Sequence, residues 1–493
     1  MIRTAVDAAL TVAFNTAGER LAARQAAGRP DVIWVVLDEQ SCRFLEGPLL
    51  EAMQDLGIEI PLLAELMESK TQGYCTFPSC APARASMMTA LSVQHHGQFN
   101  NGITLVEPAT ECFPAWFQAA GYATGSFGKM HTMGTEEDGN YGFDRLLSAQ
   151  SSDWGAVQSA AVSAGGGAGF AGNYYDSTDD PLFTTMEGYT GRGMRSKVRT
   201  DDNVCQDSVM VDTAVDWVTA QRAAGTPVLA HISLLKPHYP FNVPQRFYDL
   251  VDPADVDLAL MHPREAVGVD VVDDYLFTLR GMSSATDEHY RLFIARYMGT
   301  IAYVESLLQT IVDELVTDDT LLCVMGDHGE YAGDRGLWFK TGLREEAIRI
   351  PVAFKWPAVK GDSEPFVYPG LFSGMDVGPT LAGLAGVPVP AGVDGVDLSV
   401  PLLMGEPQMG RTELYACAWV VNTADPTSRQ EAFICPDGAG YSKSLRYYDN
   451  GTNHGEQFLT VQVDGLEELS REDDVSGEAW FNEVRAPLGS RSR

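Results

Sequence analysis

Two residue pairs in this chain, Asp38-Glu39 and Asp327-His328, are of the type that holds a cation. Each pair closes an apolar run. Neighbours on a regular strand point to opposite faces, so both members reach one ion only where the strand breaks into a loop. Oxygen-dominated donors favour Ca²⁺, Mg²⁺ or Mn²⁺ over zinc, and the imidazole moves the balance towards Mn²⁺. Two Lys-x-His units, Lys129 with His131 and Lys236 with His238, each set a cation beside a proton-transfer group. Such cations can hold an oxyanion, and the histidines can act as general acid or base near neutral pH. Lys340 follows the Asp-His pair closely enough to reach the same pocket. Cys80 is the candidate nucleophile, with Pro82 and Arg84 just after it. If Pro82 occupies a permissive first position of a helix, one turn brings Arg84 beside Cys80. The positive helix end and the guanidinium then both favour an ionised group.

The elements that must position these residues are legible in the hydrophobic pattern. Ile33–Leu37, Tyr122–Phe127, Pro227–Leu235 and Thr320–Met325 are apolar runs bounded by polar residues, the signature of strands buried on both faces of a parallel sheet. Between them Ala115–Ala120, Ser208–Arg222 and Glu288–Val316 carry helical patterns, and Asp376–Gly386 opens a further helix after an acidic cap. Alternating strands and helices predict an α/β fold, a large mostly parallel central sheet flanked by helices. Ligands in such folds bind beyond the carboxyl ends of the strands, where four of the reactive clusters fall. Residues 1–29 read as an N-terminal helical arm and 30–400 as the catalytic domain. From 401 to 493 shorter β-like stretches predict a small C-terminal α+β subdomain. Gly167–Gly172 matches GxGxxG with no strand before it, and is read as a loop.

The totals exclude several classes. Lys and Arg number 34 against 67 Asp and Glu, a net charge of −33, which argues against a nucleic-acid partner. A small anionic substrate is still allowed, because a local cationic pocket overrides the mean field. Eight scattered cysteines with no CxxC pair make a disulfide framework or zinc ribbon improbable. No 18-residue apolar stretch exists, so no membrane span is expected. The N-terminal apolar run is interrupted by Asp7 and makes a poor signal peptide, so a cytoplasmic location is expected.

Taken in order, Val36–Glu39, Cys80-Ala81-Pro82-Ala83-Arg84, Gly128–His131, Lys236–Phe241, Gly326–Glu330 with Leu337–Lys340, and Asp376–Gly386 with Gly395–Leu398 resemble the type I, formylglycine-dependent sulfatases of the alkaline phosphatase superfamily. The Lys-Pro-His-x-Pro-Phe and Gly-Leu-Trp-Phe-Lys forms look most like the choline-sulfatase and phosphonate monoester hydrolase branch. The resemblance implies an alkaline-phosphatase-like fold and hydrolysis of a sulfate monoester. It implies oxidation of Cys80 to formylglycine by a maturation enzyme, and one divalent metal ion, Ca²⁺ from the family, with Mn²⁺ or Mg²⁺ as alternatives. Asp38, Glu39, Asp327 and His328 would bind the metal with the group made from Cys80. Arg84 and Lys129 would hold the aldehyde hydrate, and His131 would help expel sulfate. His238 and Lys340 would serve the leaving alcohol. Lys236, Tyr239 and Trp338 are further substrate-contact candidates, the two aromatics as part of a cage for a quaternary ammonium. The same machinery would also suit a phosphonate monoester or a phosphodiester. Other readings are sulfuryl transfer to an acceptor alcohol, or binding of a sulfated ligand by a chain that is never matured. The arm and the β-rich tail could exchange between subunits of a homo-oligomer.

Overall fold

The computed structural model describes residues 28–101, 112–131, 141–148, 154–164, 205–263, 282–360 and 364–419, the C-terminal strands between 429 and 472, and a few isolated positions. The predicted N-terminal arm, apart from a few isolated positions, and the Gly167–Gly172 loop lie outside them.

The central sheet has six strands: β1 (Asp31–Asp38), β2 (Ala123–Gly128), β3 (Arg145–Leu147), β4 (Val228–Pro237), β5 (Thr320–Gly326) and β6 (Val352–Lys355), in the order β3-β2-β4-β1-β5-β6. All neighbours are parallel except the antiparallel edge strand β6. The four predicted strands are β1, β2, β4 and β5. In β1 the side chains alternate between two cores. Ile33, Val35 and Leu37 face one core, and Val32, Trp34 and Val36 face the other. Both faces are covered, so the strand reads as an unbroken apolar run rather than an alternation.

Four helices matter to the site: α1 (Cys80–Thr89), α2 (Gln206–Ala223), α3 (Asp287–Leu315) and α4 (Val377–Ala385). On the first face α2 contributes Met210, Ala214 and Val218, and α3 contributes Phe293, Tyr297, Ile301, Val304, Leu308 and Ile311. On the second face α1 and α4 pack Met87, Met88, Val377 and Leu381 against the sheet. Every residue of α1 is buried. The helix carrying the candidate nucleophile is therefore a core element, held on all sides.

After a short helix, Ser399–Met404, the described residues from 414 on form a five-stranded antiparallel sheet in sequence order, β7 (Leu414–Trp419), β8 (Arg429–Asp437), β9 (Gly440–Asp449), β10 (Thr452–Val461) and β11 (Glu467–Glu472). Its first strand is tied to the segment before α1, with Cys417 N–H donating to Thr76 O at 3.1 Å. Among the described residues no helix is long and apolar enough to cross a membrane.

A buried charge network joins the chain after β1 to the chain after β5. Arg43 donates to Asp334 Oδ2 at 2.5 Å and to His262 Nδ1 at 2.8 Å, and Arg335 Nε donates to Glu346 Oε1 at 3.0 Å. Burial pushes the Glu346 carboxyl up, but Arg335 and His262 override it and hold it below its ordinary 4.5. A depressed carboxyl contributes stability above its unfolded value and loses it as pH falls towards the folded one. Glu346→Gln is therefore expected to cost about 3 kcal/mol at pH 7. In urea titrations the gap to wild type should narrow as pH drops below 4.5. A gap that is constant down to low pH would rule out the charge as its source.

Candidate active site

The polar ends of β1, β2, β4 and β5 and the start of α1 meet at one buried point. β1 loses register with β4 between Leu37 and Asp38, and the next residue, Glu39, has φ 67°. The strand thus breaks where two consecutive acids must face the same way, as the pair required. Asp38, Glu39, Asp327 and His328 are all within 1% of full burial.

Cys80 is the first residue of α1, and its sulfur is the centre of the cluster. Lys340 Nζ lies 3.0 Å from Sγ, Lys129 Nζ 3.3 Å, His328 Nε2 3.3 Å and Asp38 Oδ1 3.6 Å. Burial alone would push the thiol up; Lys129, Lys340 and His328 overcome it and hold Cys80 well below its ordinary value. Asn101 Oδ1 accepts the free N–H of Ala81 in the first turn, at 3.0 Å. Pro82 falls third in the helix, inside the turn whose N–H groups have no helical partner, so it costs no hydrogen bond.

Arg84 faces the carboxylates rather than open space. Its Nε donates to Asp327 Oδ2 at 2.8 Å, and its Nη1 donates to Lys129 O at 2.6 Å and Ser233 Oγ at 2.7 Å. Asp327 Oδ1 in turn accepts the N–H of Glu39 at 3.0 Å and of His328 at 2.8 Å. Lys129 is ion-paired with Asp38. Burial and the Cys80 thiolate push Asp38 up, but Lys129 and Arg84 keep it below the usual carboxylate range. Burial lowers His328, yet Asp327 lifts it to about 9. Its Nδ1 bonds Gly329 O at 3.0 Å, which turns Nε2 towards the cluster.

His238 Nε2 and Lys340 Nζ approach Glu39 Oε2 from the other side, at 3.2 and 3.4 Å. Burial and Lys340 hold His238 down at about 3, so it is a neutral imidazole. Lys340 goes the other way: burial lowers it, but Cys80 and Glu39 raise it well above its ordinary value. His131, at φ 46°, bears on the Cys80 thiol, and its buried Nδ1 has no hydrogen-bond partner.

A metal fits this donor set. Asp38, Cys80, Asp327 and His328 each offer a ligand atom within 4.8 Å of the others, and Asp38, Glu39 and His238 form an overlapping group. Neither Glu39 oxygen finds a hydrogen bond of proper geometry, and burial pushes this carboxyl well up. A buried carboxylate oxygen without a donor, as Oε1 is, is costly, and a divalent cation would supply the missing partner. Three carboxylates and one imidazole are an oxygen-dominated set of the kind hard cations take.

Three expected substrate contacts fall differently. Trp338 is fully buried and stacks on Phe293 at 4.9 Å, so it packs the core and lines no substrate cage. Lys236 turns away as well, donating to the carbonyls of His238 at 3.1 Å and Pro240 at 2.5 Å. Its own N–H is held by Asp207. It braces the loop of His238. Tyr239 stays at the site, stacked on His238 at 4.3 Å, with Lys340 Nζ 5.9 Å from its ring centre. Three residues that bear on the site escaped the sequence reading. Ser233 and Tyr297 carry no motif signal, and Glu330, within the quoted Gly326–Glu330 segment, accepts the Ala332 N–H in the loop leading to Lys340.

The family model described as Sulfatase matches residues 30–387. The choline-sulfatase of Rhizobium meliloti (strain 1021) is 26% identical over 412 residues, covering 77% of this chain and 72% of its own. The arylsulfatase of Clostridium perfringens (strain 13 / Type A) is 23% identical, covering 75% of this chain and 78% of its own. Among solved structures, the phosphonate monoester hydrolase SpPMH from Silicibacter pomeroyi superposes with a TM-score of 0.68 at 20% identity, covering 94% of each chain.

Proposed function

The chain belongs to the sulfatase family of the alkaline phosphatase superfamily, and from that premise we propose that it hydrolyses a sulfate monoester at residue 80, oxidised from cysteine to formylglycine, releasing sulfate and an alcohol. The fold, a mostly parallel sheet flanked by helices, is the alkaline-phosphatase-like one that the motif order implied. The observation that carries the reading is the surroundings of Cys80: a buried sulfur at a helix start, 3.0 to 3.3 Å from two lysines and a histidine, beside buried carboxylates. A cysteine that merely fills space, such as Cys323 in the sheet core, is raised by burial and meets no charge.

In this proposal Asp38, Glu39, Asp327 and His328 hold one divalent cation, with Ca²⁺ the first candidate. The cation supplies positive charge where an anionic ester meets an oxygen nucleophile. The hydrated aldehyde supplies one oxygen for attack and a second whose proton loss drives release, which a plain hydroxyl or thiol lacks. Lys129 neutralises charge at residue 80. His131 takes the proton from that side chain, and Lys340 carries the charge of the departing alcohol oxygen. Arg84 holds Asp38, Asp327 and the backbone of Lys129 in place. A maturation enzyme acting on Cys80 is part of the proposal.

The test is a panel of aryl sulfate, alkyl sulfate, phosphodiester and phosphonate monoester, run on chain co-produced with a formylglycine-generating enzyme. Mass spectrometry of the residue-80 peptide accompanies the rates. Sulfate esters should turn over fastest, with activity proportional to the aldehyde fraction. Faster turnover of the phosphorus esters would move the assignment to that substrate class. Full activity with unoxidised Cys80 would sink the mechanism.

A further inference from the structure

Glu39 bears two costs at once. Its φ of 67° is in the left-handed region, which is unfavourable for a residue other than glycine. Its carboxylate is buried with no hydrogen bond to Oε1. A residue so placed persists only where its surroundings over-determine it. Two groups do so here. Asp327 accepts the Glu39 N–H, and the Tyr297 hydroxyl donates to the Glu39 carbonyl at 2.7 Å. The same hydroxyl accepts the N–H of Ser41 at 2.9 Å. One oxygen thus spans Gln40 and closes the turn after β1.

Tyr297 comes from the middle of α3, and its ring is packed by Phe44 at 5.1 Å and by Phe241 and Phe293 at 6.2 Å. Those rings fix the hydroxyl in place. The hydroxyl thus donates once, to Glu39 O, and accepts once, from the N–H of Ser41. A phenylalanine would serve the packing equally well; only the oxygen accounts for both backbone bonds.

We propose that Tyr297 is a positioning residue for the cation site: its hydroxyl locks the turn after β1 in the form that brings Glu39 beside Asp38. Tyr297 offers no ligand atom and acts through Glu39. The inference rests on the reading of Asp38, Glu39, Asp327 and His328 as cation ligands, and the experiment separates failure of one from failure of the other.

The full chain with Cys80 unoxidised is stripped with chelator, then titrated calorimetrically with CaCl₂ and, separately, MnCl₂. Tyr297→Phe should bind each cation about 10- to 100-fold more weakly than wild type. Amide exchange should quicken in the peptide covering 38–44 while the β4 peptide keeps its wild-type protection. Equal affinity in the two proteins overturns the positioning role, as does exchange that quickens evenly across the sheet and α3, the mark of a ring that only packs. Wild type that binds neither cation overturns the cation reading beneath it. Should Tyr297→Phe not fold, wild type decides: where calorimetry shows Ca²⁺ bound, exchange at 38–44 must slow, and binding with no change there overturns the proposal.

Discussion

Cys80→Ala is expected to lower sulfate-ester turnover by at least about 10⁴-fold while leaving the protein folded. The side chain is small and sits at a helix start, so alanine keeps the backbone and opens little space. What disappears is the atom on which Lys129, Lys340 and His328 converge. Those cations keep Asp38 and Glu39 as partners, which is why circular dichroism and the melting transition should change little. Cys80→Ser separates attack from release. A single hydroxyl can take the sulfuryl group, but it has no second oxygen to collapse and expel it. A burst of at most one equivalent of alcohol should therefore appear, followed by arrest. Steady turnover by either variant at more than a tenth of the wild-type rate would mean that another group attacks.

The site was legible where chemistry coincided with an element boundary. Asp38, Lys129, His238 and Asp327 each follow an apolar run, and the sheet order β3-β2-β4-β1-β5-β6 brings those ends together. The demand that Asp38 and Glu39 face one point predicted a broken strand, and the register shift with the left-handed Glu39 is that break. The misplaced residues fail for a different reason. Trp338 and Lys340 are two apart, but the segment is no strand, with Phe339 and Thr341 at positive φ, so spacing does not tell which of them turns inward. Lys236 and His238 are also two apart, yet a carboxylate on α2 holds the backbone of Lys236 and turns its amine to the loop carbonyls. No spacing rule contains that contact. Tyr297 shows the limit most clearly. Helical periodicity identified its ring as core, which is correct, while its hydroxyl works on a residue 258 positions away.

Lys340→Ala should be felt in proportion to the charge on the departing oxygen. With burial and Lys340 holding His238 down at about 3, the histidine is neutral and a poor source of positive charge. Lys340, an ammonium paired with the Glu39 carboxylate, is the cation on this side of the site. It stands 3.0 Å from the nucleophilic position and 3.4 Å from Glu39, with the ring of Tyr239 beside it. An alkyl sulfate puts nearly a full charge on its leaving oxygen in the transition state, and losing this cation should cost about 10²- to 10³-fold in kcat. A nitrophenyl sulfate spreads that charge over its ring and should lose about tenfold or less. The dependence of kcat/KM on leaving-group pKa, measured over a series of aryl and alkyl esters, should accordingly be steeper for the variant than for wild type. An equal loss across the series would place the Lys340 charge on the nucleophile instead, leaving His238 alone to serve the alcohol.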